Sequence, residues 1–166
     1  KRKDDLYLHL DAGQADALAA RLKRYIIFDQ VEVQNLGEQL ATIHIWDHSW
    51  DANLLGSEQI QTFLADPKAS AITLEIPSEV SEQSGASILI GKVQRTQTVG
   101  LDVHYLRSQE DQVLPHLLGI QPETSLAQLD SARIAAGLPD VIRDGFEGVL
   151  LQEIGLDMGG RLPVIS

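Results

Sequence analysis

Two polar residues stand out in the stretch Leu129 to Asp157, LDSARIAAGLPDVIRDGFEGVLLQEIGLD. Arg133 sits in an Ala/Leu/Ile-rich helical pattern, and Glu153 is the lone acid of LLQEIGL. With Leu126, Leu129 and Ile134 around it, Arg133 is not expected to be wholly exposed, and a guanidinium taken out of water needs a partner. Two readings stand side by side. In one, Arg133 pairs with Glu153 or Asp130 and ties loop to helix. In the other, Glu153 accepts hydrogen bonds from a ring N–H/NH2 edge, a task that suits a bidentate carboxylate, and Arg133 orients Glu153 or holds an anionic ligand group.

Three further groups could do chemistry. In GLDVHYL, strand alternation sets Val103 and Tyr105 on one face and Asp102 and His104 on the other. A carboxylate near a strand start is expected to be solvated, and Asp102 gains interest only if its face lines a pocket. Arg95, in KVQRTQTVG, reads as a strand-exposed arginine. His44, Asp47 and His48 in HIWDH invite a metal reading, but the strand ends between them, so a solvated strand edge is expected and no metal site. No dinucleotide fingerprint, Walker loop or nucleophile elbow is present.

The elements that must position these residues are readable from periodicity. Asp5 to Leu10 alternates Leu6, Leu8 and Leu10 against Tyr7 and His9, the pattern of a half-buried strand. A helix from Ala15 places Leu18, Leu22, Tyr25 and Ile26 along one side. Val31 and Val33 mark a second strand, and Leu40 to Trp46 a third. Ser57 caps a helix ended by Asp66-Pro67, and Ala71 to Ile76 is a strand stopped by Pro77. Strands at Ser87 to Arg95 and Val99 to Leu106 precede a helix from Ser108 to Leu118. Thr124 or Ser125 caps the Arg133 helix, which stops at Gly137. The fold class expected is α+β, strand-helix-strand units with antiparallel sheets. Leu10, Leu18 and Leu22 are echoed by Leu106, Leu114 and Leu118 at a constant offset, which would make two similar lobes with a ligand between them. The divisions read are 1–46 as a first α+β lobe, 47–119 as a second, and 120–166 as a helix and loop leading back to the pocket.

Composition narrows the function classes. With 166 residues the chain makes about one domain, and 43% hydrophobic residues suffice for a packed core. Thirteen Lys/Arg against twenty-four Asp/Glu give a net charge of −11, and the basic residues do not cluster beyond Lys1-Arg2-Lys3. Direct nucleic-acid binding is not expected, because neutralising phosphates needs clustered cations. The absence of cysteine excludes thiolate chemistry and Cys-held metals within these residues and suits a reducing compartment. No apolar run approaches the about 20 residues that span a bilayer, so a membrane partner is not expected. The ends, KRKDD and LPVIS, read as those of a segment of a longer chain.

Arg133-Ile-Ala-Ala136-Gly137-Leu-Pro139, followed by Gln152-Glu153-Ile-Gly155-Leu156-Asp157, resembles the R-x-x-A-G-x-P … P-x-E-x-G-L-D run of the folate-binding YgfZ/glycine-cleavage T-protein family. Asp4 to Val33 resembles the family's strand, helix and following strand, and Arg95-Thr96 … Gly100-Leu101-Asp102 its R-T … G … D/E strand pair. The likeness is greater to the YgfZ type than to the aminomethyltransferases. It implies a partial folate-binding fold of that family, with the family's K-G-C-Y-x-G-Q-E run falling after Ser166. It also implies that Asp102 and Glu153 lie near a pterin pocket that Arg133 supports. The function so implied is tetrahydrofolate binding in the cytoplasm, accessory to iron–sulfur cluster assembly or repair and the tRNA modification that depends on it, with iron–sulfur proteins as partners. A tetrahydrofolate-dependent aminomethyltransferase and a non-catalytic interaction domain with a vestigial pocket are the alternatives.

Overall fold

The computed structural model describes residues 6–10, 13–27, 30–46, 57–77, 85–118, 124–146 and 148. The elements, in chain order, are α1 (Ala15–Lys23), β1 (Leu40–Ile45), α2 (Glu58–Ala65), β2 (Ala71–Ile76), β3 (Ala86–Val93), β4 (Gly100–Leu106), α3 (Glu110–Leu118) and α4 (Leu126–Ala135). A 3-10 turn, Arg107–Gln109, joins β4 to α3. The mixed α+β class expected from the sequence holds, and the four strands form one antiparallel sheet in the order β1-β4-β3-β2.

The register sorts the sheet into two chemically different faces, because residues directly opposite one another in an antiparallel pair point the same way. Ile43 lies opposite Val103, which lies opposite Ile90, which lies opposite Ile72. Ala41, Ile45, Leu101, Tyr105, Ile88, Leu74 and Ile76 share this apolar face, and all are buried. Ile60 and Phe63 of α2 and Val113 and Leu117 of α3 complete the same core. Among the described residues Lys92 is the one strand cation on that face. Its ammonium stands 4.6 Å from the Phe63 ring centre and donates to the carbonyls of Leu64 (3.3 Å) and Asp66 (2.6 Å). It thereby satisfies carbonyls that the end of α2 leaves without helical partners.

Caps fix where the helices begin. The Ser57 hydroxyl accepts from the Ile60 amide at the start of α2. Ser125 and Gln128 form a reciprocal capping box at the start of α4, and Gly137, with φ 69°, follows its end. No residue of α4 is buried, and Leu126 and Ile134 are exposed.

Two of the expected strands are not strands. Residues 6–10 and 31–33 are extended segments without sheet pairing among the described residues. In the first, the expected burial also fails at Leu6 and Leu8, although Leu10 is half-buried. Leu6 and Leu8 are 74% and 51% exposed, while Tyr7 is half-buried and faces the sheet with His9. The reason lies in what the second face of the sheet carries.

Candidate functional site

That second face is polar at its centre. His44 of β1 lies opposite Asp102 of β4, which lies opposite Gly91 of β3; Thr42 lies opposite His104, which lies opposite Leu89. Asp102 and His104 are only 5% and 6% exposed, so this face is covered, not open to solvent. The cover is the segment Leu6 to Leu10 and the β3–β4 turn.

The Asp102 carboxylate organises the cluster. Its Oδ1 accepts from His44 Nδ1 at 2.7 Å. Its Oδ2 accepts from the Arg95 guanidinium at 2.8 Å and lies 3.2 Å from His9 Nδ1. Arg95 reaches it because the turn folds back on itself, with the buried Thr96 hydroxyl donating to the Thr98 carbonyl at 3.2 Å. His104 Nδ1 is 2.8 Å from the Thr42 hydroxyl. The rings of Tyr7 and His9 both stand edge-on to His104, with centroids 5.0 Å apart in each case. Gly100 makes room for His44: a Cβ there would lie 2.8 Å from the imidazole Cε1 and 2.8 Å from the Ile45 carbonyl.

Burial pushes the Asp102 carboxyl up, but the hydrogen bonds from His44 and Arg95 and the guanidinium charge outweigh it. The carboxyl is held well below the usual carboxylate range and is ionised. Burial pushes His104 down, and the neighbouring His9 adds to the effect. Burial also pushes the Tyr7 phenol up, and the Asp102 charge adds to it. The result is an anion with three donors on two oxygens, beside a buried imidazole.

The residues singled out in the sequence separate in space. Arg95 and Asp102, drawn from the same strand pair, meet in an ion pair. Arg95 is therefore not simply strand-exposed, and Asp102 is not solvated. His44 is a correction of the same kind: its side chain is 14% exposed and bound to Asp102, because the carboxylate opposite it needs a donor. Asp47 and His48 lie outside the described residues, as does Glu153. His9 and His104 were missed as members of the site, although the alternation that set His104 beside Asp102 was there to be read.

Arg133 is engaged within its own segment. Its Nη1 and Nη2 donate to the two oxygens of Asp144 at 2.7 and 2.8 Å, its Nε to Asp130 at 2.9 Å, and Nη1 also to the Leu138 carbonyl at 2.7 Å. The bidentate fork pins the 138–146 loop against α4. Of the partners expected for Arg133, Asp130 is engaged but within α4 itself, and the tie from helix to loop is made by Asp144, a partner not foreseen. Arg133 and the amide of Asp140 together hold the Asp144 carboxyl down to about 2. A depressed carboxyl contributes stability that is complete above its unfolded value near 4 and is lost as pH falls toward 2. The Asp144 carboxyl carbon, followed by NMR, is expected to titrate near pH 2 in the native chain and to return toward 4 in Arg133→Met.

A comparison of the chain with protein-family models, curated proteins and solved structures gives no match in any of the three. The polar face of the sheet is therefore the ground on which function is assigned. No helix among the described residues is long and apolar enough to cross a membrane.

Proposed function

We propose that this chain is a tetrahydrofolate-binding protein of the YgfZ/T-protein type, acting in the cytoplasm as an accessory to iron–sulfur cluster assembly or repair and the tRNA modification that depends on it. One observation carries the reading: Arg95 and Asp102, which lie in the stretch resembling the family's R-T … G … D/E strand pair, form a 2.8 Å charge-assisted hydrogen bond on one covered face of the sheet. Asp102 already receives three donors from its own chain, and a carboxylate has about four acceptor sites. Its role in this reading is to position Arg95 and His44, and the ring N–H edge of the pterin falls to Glu153. Arg133 supports the pocket at one remove by fixing the loop between α4 and Glu153.

Isothermal titration of the full-length protein with tetrahydrofolate tests this. Binding is expected, and Glu153→Ala should weaken it about 10- to 100-fold, the loss that follows when hydrogen bonds to a charged acceptor are removed. Absence of binding by the wild-type protein overturns the reading.

A further inference from the structure

The polar face that carries the Arg95–Asp102 pair also holds donors to which the folate reading assigns no ligand. We propose that His9, Asp102 and His104 form a binding site for one divalent transition-metal cation of the zinc, cobalt or ferrous class. One ligand atom from each of the three lies within 4.8 Å of the others. Two imidazoles and one carboxylate make the donor set that such cations prefer, whereas calcium and magnesium call for oxygen donors throughout.

The spacing fits with a small adjustment. Two donors bound tetrahedrally to zinc at about 2.0–2.1 Å sit about 3.4 Å apart, and His9 Nδ1 is 3.2 Å from Asp102 Oδ2. His9 can shift toward a shared cation, since its side chain is 36% exposed and its segment has no sheet pairing among the described residues. In the bound form His9 carries its proton on Nε2 and offers Nδ1 to the cation.

The surroundings orient the donors as outer-shell partners of a metal do. With its Nδ1 hydrogen given to Thr42 Oγ1 at 2.8 Å, His104 keeps Nε2 free for a ligand bond. His44 Nδ1 holds the other oxygen of Asp102 at 2.7 Å, which turns Oδ2 toward His9. Gly91, opposite Asp102, has no side chain, and a Cβ there would meet nothing nearer than the Ser70 carbonyl at 3.9 Å. That bare patch leaves space for a water or an exogenous fourth ligand. Arg95 opposes the cation, since its guanidinium shares Oδ2. At 37% exposure its side chain can swing into water.

The test uses the full-length protein, stripped with a chelator and free of folate. Calorimetric titration with Zn2+ and visible absorption on adding Co2+ should both report one equivalent. His9→Ala, at an exposed position outside the sheet, should weaken binding at least about tenfold, and Thr42→Val about tenfold. Arg95→Gln should tighten it, because it removes the competing charge. No stoichiometric binding, or binding that His9→Ala leaves unchanged, overturns the proposal. Repeating the folate titration with chelator present keeps the two sites distinguishable: either can fail while the other stands.

Discussion

Replacing Asp102 with alanine is expected to lower the free energy of unfolding by about 2–3 kcal/mol, measured by urea denaturation at neutral pH. Breaking a fully buried charge pair from one side costs about 3–5 kcal/mol, because the partner is left charged and dry. Here the carboxylate side chain is 7% exposed, but Arg95 is 37% and His9 36% exposed, so both can turn to water once released. His44, at 14%, cannot do so readily, and most of the cost resides there. The sign with pH follows from the depressed carboxyl. Its contribution is complete above the unfolded value near 4 and lost as pH falls further, so wild type and Asp102→Ala should converge in acid. A difference within about 0.5 kcal/mol at neutral pH, the range of an ordinary surface substitution, would show that Asp102 is not the organiser described here.

Ile90→Ala is expected to cost about 3–4 kcal/mol, the range for truncating a fully enclosed aliphatic side chain with little collapse around it. Ile90 is 0% exposed and lies between Ile72 and Val103 at the centre of the apolar face. Its neighbour Leu89 points to the other face, opposite His104 and Thr73, and is only half-buried. Leu89→Ala should therefore cost about 1 kcal/mol. Equal losses at the two positions would contradict the division of the sheet into a packed apolar face and a polar one.

Local chemistry made much of this architecture legible. Alternation between Pro-bounded stops located β2 at Ala71–Ile76 with the bounds it has. The hydroxyl caps at Ser57 and Ser125 and the glycine after α4 announced themselves because each satisfies amides or carbonyls within a few residues. What escaped was decided at a distance. Period-2 alternation at Leu6 to Leu10 shows that two sides differ but not which turns inward. The Asp102 carboxylate, 93 residues further on, holds the His9 side chain and leaves Leu6 and Leu8 outside. The same limit applies to Arg133. Its helical pattern revealed a guanidinium needing a partner, but not that the loop returns Asp144, 11 residues away, to meet it. His44 looked like a solvated edge because its partner arrives on a strand formed 58 residues later.

The attachment of residues 6–10 by rings, without a backbone ladder, sets their alignment by parity. A slip of one residue would exchange the two sides of the segment, as it does in any extended chain. Asp102 and His104 would then face Leu6 and Leu8, which offer the carboxylate no donor and the imidazole no aromatic edge. A slip of two would restore parity but put Tyr7 where His9 belongs. The segment is thus keyed to one position by the order aromatic-leucine-imidazole, and the key works through charge and ring geometry alone.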